Sequence, residues 1–289
     1  MVFSNGSNEL RYAIDQNAVS PASIKIFQSF TGKIGLKNYN TDDSTYPYYE
    51  YRDKFLKMCA SGDGVNTAVT IGQGEGNGSG RMKLDFNTGQ ATVVVYNTGQ
   101  REETDVPALL MKGTNTSNSY DIRKGDVGIG FFVGDSANVA VLRVSYFTSK
   151  ASDAKVVCGP GVTFNNPTII IDGGEVTIES ATTGGTIVLN GGVLNILGGA
   201  HPAITINGGT LNYSGTGTIT TLTVTGGTFN RSRDDRAMTI TNLVLHEGAS
   251  YLDPTGVITE TNGIDLSQCG LSEVEIDKGR NFTLTKSAI

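Results

Sequence analysis

Six consecutive residues in the second half of the chain carry its densest charge: Arg231, Ser232, Arg233, Asp234, Asp235 and Arg236. Paired carboxylates flanked by basic groups are the equipment of acid–base hydrolysis of glycosidic bonds. Asp234 and Asp235 are adjacent, however, and neighbouring side chains in a loop usually point apart, whereas that chemistry needs two carboxyls facing each other across a substrate. The spacing therefore predicts an exposed, self-neutralising loop that bulges from the fold. Arg231, Arg233, Asp234, Asp235 and Arg236 are read as partner contacts and not as catalysts.

A second cluster, Tyr46, Tyr48, Tyr49 and Tyr51 with Arg52, surrounds Pro47. Rigid amphipathic rings beside an arginine suit a protein contact or a carbohydrate platform. A half-buried loop leading into a helix has the same composition.

Other arrangements carry less. The stretch GlyGlnGlyGluGlyAsnGlySerGly at 72–80 is rich enough in glycine for a phosphate cradle, but such a cradle needs a helix start directly after it. Here ArgMetLysLeuAspPhe follows and alternates as a strand, so the stretch reads as a hairpin tip. Calcium-binding GlyGlyxGlyxAsp repeats are absent from the GlyGly corners. Cys59, Cys158 and Cys269 are odd in number and widely spaced, which predicts buried thiols and neither a zinc site nor a disulfide framework. His201 and His246 have no nucleophile or acid at a telling spacing. The expectation is a chain with no catalytic residue, no cofactor and no metal.

The elements that must position these residues are clearest between 169 and 231. IleIleIleAspGlyGlyGluValThrIle begins at Ile169, IleValLeuAsnGlyGlyValLeuAsnIle at Ile187, IleThrIleAsnGlyGlyThrLeuAsnTyr at Ile204 and LeuThrValThrGlyGlyThrPheAsnArg at Leu222. Their first glycines, Gly173, Gly191, Gly208 and Gly226, lie 18, 17 and 18 residues apart. An alternating apolar run on each side of a GlyGly corner describes two strands meeting at a bend. One such rung cannot bury its own apolar row, so rungs must stack ~4.8 Å apart as a β-solenoid. Asn195, Asn212 and Asn230 recur after the corner, and Asn190 and Asn207 just before it. Stacked amides in such places can bond from rung to rung. Looser rungs at 243–252 and 274–284 bring the total to roughly six or seven, with atypical ends as expected of capping repeats. The spacing suits a three-sided coil wound by one chain or interleaved among three.

The first half reads differently. Residues 8–18 and 48–60 could be short helices, while 23–30, 66–71, 81–86, 91–96, 127–133 and 139–147 alternate as strands. AsnThrGlyGln at 87–90 and GlyAspSerAlaAsn at 134–138 have hairpin chemistry. The reading is all-β with minor α: an N-terminal antiparallel β-sandwich or jelly-roll-like domain over 1–150, then a β-solenoid (β-helix) over 151–289, with 149–155 as the hinge.

Composition fits this reading. The chain has 289 residues, 38 glycines, no tryptophan and only 17% charged residues. A net charge of −6 argues against nucleic-acid or anionic-membrane binding through bulk charge. No apolar run is long enough for a membrane span, and the first residues lack the features of a secretion signal, so folding in the cytosol of the cell that makes the chain is expected.

The layout of a small sandwich followed by a short Gly/Asn/Thr-rich coil resembles accessory virion proteins of tailed bacteriophages: capsid decoration (cement) proteins, head fibres and tail fibres. The repeat at 169–231 is its specific part. The resemblance implies a non-enzymatic virion structural protein, often a trimer, held to the major capsid protein or another virion protein by its N-terminal domain with the coil projecting outward. The alternative it implies is a tail fibre, spike or head fibre that binds host surface glycan. A bacterial surface adhesin would be expected to carry a secretion signal.

Overall fold

The structure is a computed structural model that describes residues 1–10, 18–37, 54–59, 65–144, 154–270, 273–279 and 284–286. Every pairing between strands is parallel, and no helix occurs among the described residues. Two compact units are present, Met1–Val141 with Asp153–Val162, and Leu142–Ser152 with Thr163–Ile289. Of the hinge read at 149–155, residues 149–153 lie outside the described residues, and Ala154 and Lys155 begin the strand Ala154–Cys158.

In the second unit the chain steps alternately between two sheets. Thr186–Leu189, Ala203–Ile206, Ile219–Val224 and Met238–His246 lie side by side in one. Glu175–Ile178, Val193–Ile196, Thr210–Tyr213, Gly227–Asn230 and Ala249–Leu252 do so in the other. Thr182–Thr183 and Ile258–Glu260 add short parallel pairings to the first of these sheets. Successive turns of one chain pair with each other, so the coil is wound by a single chain. The alternation puts every second residue inside. Ile187, Ile204, Leu222 and Leu243 form one buried column, and Val176, Leu194, Leu211, Phe229 and Tyr251 another. Each such side chain contributes about 1.5–3 kcal/mol of burial, and stacking is what makes the burial complete.

The corner glycines line up as the repeat requires, since Glu175, Val193, Thr210 and Thr228 are register partners two residues after Gly173, Gly191, Gly208 and Gly226. The second glycine of each pair does the turning. Gly174, Gly192 and Gly209 have φ of 78° and Gly227 of 74°. A Cβ on Gly192 would also lie 2.3 Å from the carbonyl oxygen of Gly174. Outside the corners, the amides form the expected ladders. Asn207 Nδ2 donates to Asn190 Oδ1 at 2.8 Å, and Asn190 Nδ2 to Asp172 Oδ1 at 2.7 Å. Asn230 donates to Asn212 at 3.1 Å, and Asn212 to Asn195 at 2.9 Å.

The first unit overturns the antiparallel sandwich. Ser23–Phe27, Asn66–Gln73, Gln90–Val95 and Ser119–Ile122 are parallel neighbours in one sheet. Leu56–Lys57, Met82–Asp85, Leu109–Lys112 and Gly125–Ile129 are parallel neighbours in the other. Alternation within a strand is the same for parallel and antiparallel pairing. What decides is where each connection delivers the chain, and here it delivers it to the opposite sheet. The turn at 87–90, with Asn87 at φ 51°, joins Met82–Asp85 to Gln90–Val95 across sheets and forms no hairpin. The connection at 134–138 likewise leads from Gly125–Ile129 to Ala137–Val144.

The helix expected over 48–60 is also corrected where it is described. Leu56–Lys57 is a strand paired with Leu84–Asp85, and Leu56 and Met58 are each 1% exposed. Sheet pairing and burial here override a weak local helical pattern. Of the other expected helix, Leu10 makes a parallel bridge to Ile34, while 11–17 lie outside the described residues.

Candidate functional site

The charged segment at 231–236 is only partly the exposed loop its composition suggests. Phe229 faces inward, Asn230 outward, and Arg231 inward again, so the arginine completes a strand's alternation inside the coil. Arg231 is 1% exposed. Its Nη1 donates to the carbonyls of Gly215 at 2.8 Å and Tyr213 at 3.3 Å, and its guanidinium lies 5.8 Å from the Tyr213 ring centre. Burial pushes its pKa down, and Asp234 opposes that shift. An arginine in this position braces the rung and is not free to meet a partner.

Asp234 is buried as well. Arg236 Nε donates to its Oδ1 at 3.0 Å and Nη2 to its Oδ2 at 2.5 Å, and Arg231 lies 3.5 Å from its Oδ1. The hydrogen bonds from Arg236 are the main cause that holds the Asp234 carboxyl down to about 2. A carboxylate so clamped keeps no proton to donate near neutral pH. Arg233 and Asp235 are exposed, as is Arg236 beyond its grip on Asp234. The two aspartates thus occupy different environments, one buried and one exposed, and do not face each other. Tyr46, Tyr48, Tyr49, Tyr51 and Arg52 lie outside the described residues.

The first unit contains a feature that the sequence reading missed: an open polar cleft of about 1020 Å³. Connections from successive rungs build it. Gly76, Asn77 and Gly78 form part of one wall, Asn97–Glu102 another, and Asp126 and Lys155 line it further. The glycine-rich stretch is therefore a wall of this cleft and no hairpin tip, because it leads from Asn66–Gln73 to Met82–Asp85 in the other sheet. Ion pairs hold the charged groups. Arg101 Nε is 2.7 Å from Asp126 Oδ2, and Glu102 bridges Arg81, at 2.5 Å, and Lys33. Burial raises the pKa of Asp126, opposed by Arg101. Gln28, 3% exposed, donates from Nε2 to Thr98 O at 3.3 Å, while its Oε1 meets no partner among the described residues. Amides, fixed carboxylates, cations and bare glycine backbone suit a hydroxyl-rich ligand. Among the described residues no aromatic ring lines the cleft to stack against one. The only advance signal was the glycine density at 72–80, since the other lining residues come from separate stretches.

Cys59, Cys158 and Cys269 are buried and are not joined in disulfides. His201 is fully buried, with Nδ1 3.2 Å from the Thr182 hydroxyl and Nε2 2.9 Å from Gly198 O. No group of three potential metal ligands occurs among the described residues, and no described helix is long and apolar enough to cross a membrane. No family model, curated protein or solved structure matches the chain.

Proposed function

We propose that the protein is a non-enzymatic structural component of a virus particle, of the capsid-decoration type, assembled in the host cytoplasm. The observation that carries this reading is the unbroken bonding from rung to rung in the second unit. Backbone pairs, buried columns and amide ladders repeat there from one rung to the next. Such a coil resists local opening and protease attack, which suits a component exposed on a released particle. The resemblance to virion accessory proteins now rests on the coil alone, because the sandwich half of the layout is replaced by parallel strands.

In this reading the partner is the major capsid protein or another virion protein, and the chain assembles as a trimer. A second reading, a tail or head fibre that binds host surface glycan, is favoured by the polar cleft of the first unit. Quantitative gel densitometry of purified particles distinguishes the two. A copy number comparable with that of the major capsid protein supports decoration, and a few copies per particle support a fibre. Absence from purified particles overturns both.

A further inference from the structure

We propose that Lys278 and Glu260 condense to an intramolecular amide, a covalent staple across the last rungs of the second unit. This goes beyond the functional reading above and stands or falls independently of it.

The inner column of the coil changes character along its length. Ile178, Ile196 and Tyr213 are register partners and buried. Two residues past Phe229, Tyr251 and Ile276, the same inward position is taken by Arg231, Asp253 and Lys278. These are 1%, 0% and 6% exposed. Arg231 donates to carbonyls from Nη1 and Nη2, while its Nε meets no partner among the described residues. Asp253 accepts from the backbone N–H groups of Val257 at 3.2 Å and Ile258 at 3.0 Å. Lys278 differs, because its Nζ donates to Ile258 O at 2.8 Å and touches Oε2 of Glu260. Both side chains of that pair are 6% exposed. On the other side, Tyr251 donates its hydroxyl proton to Glu260 Oε1 at 2.6 Å.

That arrangement supplies what amide formation needs. An ammonium and a carboxylate held together away from water can neutralise each other by moving one proton from Nζ to Oε2. Burial favours the neutral amine by lowering the Lys278 pKa, with Asp253 opposing. The Nζ lone pair then attacks Cδ of Glu260. Negative charge develops on Oε1, where the Tyr251 hydroxyl already donates and acts as an oxyanion-hole group. Burial raises the Tyr251 pKa, so that hydroxyl keeps its proton. A second proton passes from Nζ to Oε2, the Cδ–Oε2 bond breaks, and water leaves. The Nζ–Cδ amide remains. No oxidant, activating nucleotide or other co-reactant is consumed, and the fold itself supplies proximity.

The test is the intact mass of the full-length protein, purified natively and aged at physiological temperature. The expected result is a deficit of one water, about 18 Da. Trypsin should then leave the bond after Lys278 uncut and release 237–280, one water short, because no lysine or arginine lies between 237 and 277. Lys278→Arg keeps a cation that forms no such amide and should restore the full mass, and Tyr251→Phe should slow the loss of water. The wild-type measurement does not depend on whether either variant folds. Full mass with cleavage after Lys278 overturns the proposal and leaves a buried ion pair, as does a water loss that maps to other residues.

Discussion

At Arg231 and Asp234 a sequence-adjacent cluster of charges is divided by the turn that follows the strand Gly227–Asn230, closed by Asp234 N–H donating to Arg231 O at 3.1 Å: one arginine and one aspartate go inside, and Arg233 and Asp235 stay outside. Removing Asp234 leaves a buried guanidinium without its carboxylate, a change that costs about 3–5 kcal/mol. Asp234→Ala should therefore lower the melting temperature sharply, while Arg233→Ala should stay within ~0.5 kcal/mol of wild type by the same thermal scan. The pH dependence follows from the sign of the shift. The folded pKa of Asp234, about 2, is below that of an unfolded aspartate, so its contribution is present above the unfolded value and lost as pH falls toward 2. Melting curves between pH 5 and pH 2 should fall more steeply for wild type than for Asp234→Asn. His201 acts in the same direction at higher pH. Burial lowers its folded pKa, so the stability it lends is present above the unfolded histidine value and fades below it.

At the scale of strands and corners, the two glycines of each pair are not equivalent. Gly192 combines a positive φ with a backbone oxygen 2.3 Å from where a Cβ would sit, whereas the nearest atom to a Cβ on Gly191 is Asp172 O at 2.9 Å. Gly192→Ala should cost more than 1 kcal/mol and clearly more than Gly191→Ala, as chemical denaturation of the two variants would show. The repeat itself can be cut. Deleting residues 191–207 joins Asn190 to Gly208 and gives each remaining strand a neighbour of the same pattern, so the shortened chain should keep its β circular-dichroism spectrum. A random-coil spectrum would contradict the rung assignment.

The same scale explains what could be read in advance. The second unit was legible because its corners are marked by GlyGly and its steps are nearly equal. The first unit was not. Val69 pairs with Val93 and Val93 with Tyr120, steps of unequal length with no common corner residue. Without a period, alternating strands default to the antiparallel reading. Arg231 was misplaced for a related reason, since charge suggested an insertion where register with Tyr213 placed it inside. The cleft was invisible because its lining is assembled from distant connections.

For the whole chain, each unit gains stability from contacts between successive rungs, so protection should be graded and not uniform. Hydrogen exchange followed by mass spectrometry should find the slowest amides in central strands such as Thr186–Leu189 and Ala203–Ile206. The amides of Glu275–Asp277 should exchange sooner. Equal rates in both places would mean that the second unit opens only as a single block.

The amide ladders also bear on how the molecule ages. Asparagine followed by glycine is the dipeptide most prone to losing ammonia, through attack of the next backbone nitrogen on the side-chain carbonyl carbon. Asn190–Gly191 and Asn207–Gly208 have that sequence, yet each side chain donates from Nδ2 and accepts at Oδ1 across neighbouring rungs. Asn77, which precedes Gly78 at the rim of the cleft, is exposed. In long storage, succinimide and isoaspartate should accumulate first at Asn77 and at Asn5, an exposed residue that precedes Gly6, so the chemical clock of this protein starts in its first unit while the coil lags behind.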